Sequence, residues 1–285
     1  MAHNYNLGIF AALLEIFLSI TIAILAKLLA SDVSVFVILL YRYLFCLPIL
    51  IFIGLFQRGR CLLLIDNWFI LTARTTFGIL GLATWFLALP LLGIIKTTVL
   101  AQLMAIFIAI LAPVLLKEKI GIRGWTAIAF GLLGTLFILR PDLRGWWSYG
   151  IFFGLLTPLF AALMNISLRK LGDTDWPITT AIWYNSAGLI VFCLICYSQK
   201  YRILFNFDTS LTLVSVGLIA SFQQFSLAIS RAKTPAVILA PLSYLMVPLS
   251  IIFGIFIFQE QIDLFFLIGS IIIVVSALYT VRSVN

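Results

Sequence analysis

The segment Glu118-Lys119-Ile120 through Arg140 returns 142 positions later as Glu260-Gln261-Ile262 through Arg282. Gly8-Ile9-Phe10 precedes Gly150-Ile151-Phe152 by the same interval, and Lys27 and Arg169 keep that register. A short gap is needed only around Lys96 and Lys233. A constant offset at both ends marks one unit used twice, so the chain divides into copies at residues 1–143 and 144–285. Function is expected where the copies meet and where they differ.

With 64% hydrophobic and 10% charged residues, the chain carries more apolar surface than a soluble domain can hide. It reads as a polytopic membrane protein. The formal charge of +8 is spread singly and in pairs between apolar runs, which suits loops held at a lipid surface, and no nucleic-acid partner is expected. Cys46, Cys61, Cys193 and Cys196 make no disulfide framework. The C-x-x-C formed by the last two lies inside an apolar run, where thiols pack as small hydrophobes. His3, the single histidine, sits near the N-terminus, so no metal site and no cofactor is expected.

A helix of about 20 apolar residues crosses the hydrocarbon core. Ten such runs can be placed, near 7–29, 34–56, 67–89, 94–115, 124–139, 148–171, 177–197, 209–230, 235–258 and 264–281. The first has a counterpart at 148–171 and therefore belongs to the fold rather than to a cleaved leader. Five spans per copy is an odd number, so the second copy must enter the membrane inverted. The expected fold is an all-α membrane protein of ten transmembrane helices in two inverted five-helix repeats. In carriers built this way the substrate site lies near the midplane, where the repeats meet. Basic residues favour the loops that are inside when both termini are cytoplasmic. Trp68, Trp125, Trp146, Trp147 and Trp176 fall at span edges, as an interfacial belt requires, leaving Trp85 and Trp183 for an interior lining.

Among the ten acidic residues, Glu15 alone lies well inside a span. A carboxylate at that depth costs a few kcal/mol or more unless it is paired, hydrated or protonated. Arg42 and Arg74 are comparably deep. At 1.5 Å per residue, Glu15 lies ~12 Å and Arg74 ~10 Å from the inner side, with Arg42 at ~18 Å. Glu15 can pair with Arg74, or face a wet cavity and meet a cationic or amino group of a substrate; a coupling proton is a version of the second reading. Ser19, one turn on, extends the same face. Arg42 reads as a structural residue holding span two, or else as a fork for a carboxylate or phosphate.

The second copy has no charge in mid-span. Its polar inventory is Asn165, Asn185, Gln223, Gln224, Ser226 and Tyr244. Gln223 and Ser226 share a face, and Gln224 is expected to point elsewhere. The substrate-binding set is then Glu15, Ser19, Arg74, Trp85, Gln102, Asn165, Gln223, Ser226 and Tyr244. Glu118 and Glu260 close the fourth span of each copy. They are expected to accept hydrogen bonds from the turn into the next helix, or to latch opposite gates.

Several short patterns recur in order: Lys117-Glu118-Lys119 and Gln259-Glu260-Gln261, Tyr41-Arg42-Tyr43, Ala73-Arg74-Thr75 and Leu139-Arg140-Pro141. The ordered set resembles the drug/metabolite transporter superfamily, EamA type. Ala240-Pro241-Leu242-Ser243-Tyr244-Leu245 is similar to the branch that includes S-adenosylmethionine transporters. The resemblance covers essentially the whole chain. It implies a multi-pass plasma (inner) membrane protein, with cytoplasmic termini, that transports small metabolites. It leaves open amino acids, nucleotides, vitamins or drugs. The expected function is secondary transport of a small polar or zwitterionic metabolite, amino-acid-like or S-adenosylmethionine-like. The alternatives are export of drugs or a vitamin-like aromatic compound, and a non-transporting membrane subunit. No H-E-x-x-H, G-x-S-x-G or P-loop pattern is present, so neither an enzyme nor direct ATP drive is expected. Oligomeric state is not readable.

Overall fold

Three of the described helices start just after a residue that accepts from their orphan N–H groups. Asn67 Oδ1 accepts from Ile70 N (3.2 Å), Ser148 Oγ from Gly150 N (3.2 Å) and Asp263 Oδ1 from Phe266 N (2.8 Å). Pro177 opens its helix at the first position, where a missing N–H costs nothing. The computed structural model describes residues 5–115, 126, 129–130, 133–134, 137, 148–172, 174–203, 205–233 and 245–283.

Among the described residues the chain is all-helical, without strands. In order the helices are α1 (Tyr5–Leu29), α2 (Val35–Arg58), α3 (Trp68–Ala101), α4 (Met104–Leu115), α5 (Tyr149–Leu171), α6 (Pro177–Ser198), α7 (Phe207–Lys233), α8 (Met246–Phe258) and α9 (Leu264–Ser283). Six described helical stretches are long and apolar enough to cross a membrane, from Leu7–Leu29 to Phe207–Leu227. Most of the expected fifth span (124–139), with Glu118 and Tyr244, lies outside the described residues.

The third and fourth spans divide where the sequence places the break, between residues 89 and 94, but without a separate loop. α3 runs 34 residues, ~50 Å at 1.5 Å per residue, which is too long for one ~30 Å crossing. It breaks at Gly93, whose φ of 84° and ψ of 167° belong to backbone that only glycine adopts readily. The expected fourth span is itself interrupted at Gln102–Leu103. There Gln102 N donates to Val99 O (3.1 Å) and Leu103 N to Leu100 O (3.0 Å), tightening the helix for one turn before α4 starts.

The chain forms two compact units, each drawing on both sequence copies. The first comprises residues 1–79 and 167–235, the second residues 80–166 and 236–285. In the first, α1 and α2 lie along α7, and α2 also along α6. Close approach is permitted by Gly188 against the Tyr43 ring, and by Gly217 against Phe45 and the Tyr41 carbonyl. In the second unit, α9 lies along α4, and Gly150 and Gly154 of α5 leave room for Leu91, Leu92 and Leu100.

Candidate functional site

In the first unit a polar seam runs between α1 and α7. Gln223 Nε2 donates to Ser19 Oγ (3.2 Å), and Ser230 Oγ reaches Glu15 Oε2 at 3.5 Å while donating to Leu227 O (3.0 Å). Pairing of 15 with 230 and of 19 with 223 makes the two helices antiparallel. Glu15 and Ser19 are one turn apart on α1, and Gln223, Ser226 and Ser230 follow the i, i+3, i+7 spacing of one helix face. Glu15 stands near the centre of α1 and is half-buried, and Ser226 is buried. A carboxylate facing hydroxyls and an amide in mid-helix can accept from an ammonium or other cationic donor.

Gln224 does not point away from this seam, contrary to the periodicity argument. It is buried, and its Nε2 donates to Gln223 Oε1 (3.3 Å). A long amide bends back to its neighbour more cheaply than it stays unpaired in an apolar interior. Ser230 was not singled out by sequence, although continuing the Gln223–Ser226 face by one turn reaches it.

A second cluster in the same unit surrounds two tyrosines. Tyr43 of α2 donates its hydroxyl to Tyr184 Oη of α6 at 2.8 Å, and the rings meet edge-on with centroids 5.6 Å apart. The Arg74 guanidinium lies 4.1 Å from the Tyr184 ring centre, and that of Arg42 lies 5.2 Å from the Tyr43 ring. Both arginines are almost fully buried, at 5% and 3% exposure. Arg74 is thus placed against an aromatic face, where a cation gains up to ~2 kcal/mol when desolvated. Asn185, fully buried on α6, donates Nδ2 to Ala181 O (2.8 Å).

The second unit holds the remaining candidates. Gln102 is buried at the interruption before α4, and Asn165 Nδ2 donates to Ala161 O (2.8 Å) and to the Sδ of Met104, the first residue of α4 (3.1 Å). Thr157 donates to Thr84 Oγ1 (3.1 Å) beside Trp85, which meets Phe86 edge-on. Trp183, in the first unit, is not an interior lining residue. Its Nε1 donates to Leu63 O (3.1 Å) and its ring meets Trp68, so it anchors the loop before α3.

Glu260 accepts hydrogen bonds from backbone N–H groups of a distant segment. Its Oε1 accepts from Ile94 N (2.7 Å) and Oε2 from Ile95 N (3.1 Å), the first donors after the Gly93 break. Gln259, left-handed at φ 51°, ends α8, and the Glu260 N–H donates back to Gly254 O (3.0 Å). The carboxylate therefore caps a helix start 166 residues away in sequence, where orphan N–H groups and the helix dipole favour an anion.

A cavity of about 390 Å³ opens in the first unit at the α1–α2 turn, between Asp32, Ser34, Arg202, Asn206 and Thr209. It lies roughly 25 Å along α1 from Glu15 and contains none of the residues expected from sequence. Among the described residues no group of three or more His, Cys, Asp or Glu could hold a metal ion.

A model described as the EamA-like transporter family matches residues 6–140 and again 148–282. The chain is 25% identical over 280 residues to an S-adenosylmethionine uptake transporter of Rickettsia felis, covering 98% of this chain and 94% of the relative. It is 26% identical over 250 residues to a riboflavin transporter of Rhizobium johnstonii, covering 85% and 78%. A solved crystal structure superposes with a TM-score of 0.68 at 16% identity, over 98% of this chain and 97% of its own, and so shares the fold.

Proposed function

The chain belongs to the EamA-like transporter family, and from that membership we propose that it is a secondary carrier of a small polar or zwitterionic metabolite. It is a multi-pass membrane transporter, not an enzyme. In this reading the cargo is amino-acid-like or S-adenosylmethionine-like and moves by alternating access around a midplane site. Its cationic group meets Glu15, with Ser19, Gln223 and Ser226 beside it. The observation that carries the proposal is the seam itself: a half-buried carboxylate at mid-helix, opposed across α1 and α7 by hydroxyls and an amide. A carboxylate set among hydroxyls and an amide in mid-helix suits the cationic group of such a cargo.

Ten spans in two inverted repeats, 1–143 and 144–285, with both termini cytoplasmic, is the proposed topology in a plasma membrane. The twofold match of the family model supports the repeat. Arg74, in the same unit, completes the proposed contact set, and Gln102, Asn165 and Trp85 of the second unit are separate candidates for substrate contact. Glu15 as the site of a coupling proton is part of the same proposal. A vitamin-like aromatic cargo is the second reading, supported by the similarity to a riboflavin transporter.

Thermal stabilisation of the purified protein by a metabolite panel including S-adenosylmethionine and riboflavin tests both. A ligand that raises the Tm of wild type but not of Glu15→Gln supports the seam. A ligand that stabilises both proteins equally removes Glu15 from the site.

A further inference from the structure

Arg42 and Arg74 place two cationic side chains in the interior of one helical unit. Aromatic faces take part of the cost, since each guanidinium lies within about 5 Å of a ring of the Tyr43–Tyr184 pair. For Arg42 that gain, at most ~2 kcal/mol, is smaller than the several kcal/mol a buried ion loses on leaving water. Arg42 Nη1 is buried and has no hydrogen-bond partner among the described residues. Asn185 Oδ1, on the same α6 face as Gly188 and its contact with Tyr43, is likewise buried and unfilled. A donor on a permanent cation and a neutral acceptor, both unfilled inside a membrane protein, are complementary to a ligand carrying an oxyanion and a flanking N–H or O–H.

The placement of Arg42 fits that task. On α2, Tyr41 and Phe45 meet α7, and Tyr43 meets α6. Arg42 lies on the face between these two stripes, sealed at 3% exposure. With Nη1 unfilled, the guanidinium keeps a donor for a carboxylate or phosphate oxygen, the groups arginine recognises best. We propose that Arg42, backed by Arg74 and the Tyr43–Tyr184 pair, is an oxyanion-binding subsite and that the transported molecule carries a carboxylate or phosphate. The statement about cargo rests on the carrier reading above; the anion subsite itself does not.

Thermal melts of the protein in discs of purely zwitterionic lipid test the subsite. Sodium acetate and sodium phosphate are titrated against sodium chloride at equal ionic strength, with acetamide as the uncharged shape control. Acetate or phosphate is expected to raise the Tm by a few degrees over chloride and acetamide. Arg42→Gln should abolish that rise, yet melt in chloride no lower than wild type, because it removes a buried charge whose cost the ring contact offsets only in part. If Arg42→Gln does not accumulate, Arg42→Lys decides: a point charge without the fork should need several-fold more oxyanion for the same shift. An equal response to chloride, no oxyanion response in wild type, or an unchanged response in the variants overturns the proposal. A rise produced by phosphatidylglycerol in the disc, with none from acetate or phosphate, assigns the anion to lipid and overturns the statement about cargo. None of these outcomes bears on Glu15, whose own test is separate.

Discussion

Two glutamates, one in each compact unit, show what the same side chain does when its partners differ. At the Gly93 corner, Glu260 accepts from two consecutive backbone N–H groups at 2.7 and 3.1 Å, in a turn only glycine can make. At the α1–α7 seam, Glu15 faces a serine hydroxyl at 3.5 Å, and that hydroxyl already donates to its own helix. The corner carboxylate is fixed by backbone donors that do not move unless the helix start moves. The seam carboxylate is met by a side chain that can turn, among amides and hydroxyls suited to exchange with a ligand. Backbone partners tie the first residue to the fold; neighbouring hydroxyls and an amide make the second the better candidate for binding.

If that contrast is right, damage at the corner should appear as lost protein and damage at the seam as lost transport. The largest effect is expected for Gly93→Ala. A Cβ there would stand 2.6 Å from Glu260 Oε1 and force a backbone region that disfavours side chains, costing roughly 4 kcal/mol from strain and the lost cap together. Fluorescence-detected size exclusion should find little folded protein. Glu260→Ala follows, at about 3 kcal/mol, because two N–H groups lose a charged acceptor; the readout is a drop in Tm with any residual transport in proportion to folded protein. Tyr184→Phe removes the hydroxyl contact to Tyr43 and should cost about 1 kcal/mol, read as a Tm lower by a few degrees. Ser19→Ala should leave Tm almost unchanged and raise the apparent KM a few-fold, since Gln223 loses its orienting acceptor. Normal Tm in Glu260→Ala together with a bias in access to one membrane side would instead make the corner a gate.

Much of the seam was legible in the sequence. A carboxylate in the middle of an apolar run is conspicuous by its cost, and Ser19 and the Gln223–Ser226 face follow from helical period alone. Glu260 was legible as a residue of a joint, but its partner was not: a cap reaching Ile94 depends on how distant segments fold together, and local spacing carries no trace of that. The break between the third and fourth spans was legible, but not that Gly93 alone makes it. Pro90, Gly93 and the apolar residues around them read as a short loop, whereas one residue makes the turn once Glu260 takes the freed donors. Gln224 and Trp183 were misplaced because period fixes where a Cβ points, not where a long amide bends or which carbonyl an indole reaches. The interleaving of both sequence copies in each compact unit is likewise a property of packing.

The central claim is that Glu15 binds the transported molecule. Counterflow in liposomes, using the metabolite that stabilises the purified protein and normalised to folded carrier, tests it most directly. Glu15→Gln should lower the initial rate at least tenfold while its Tm without ligand stays within a few degrees of wild type. A Glu15→Gln carrier that exchanges cargo at the wild-type rate would contradict it.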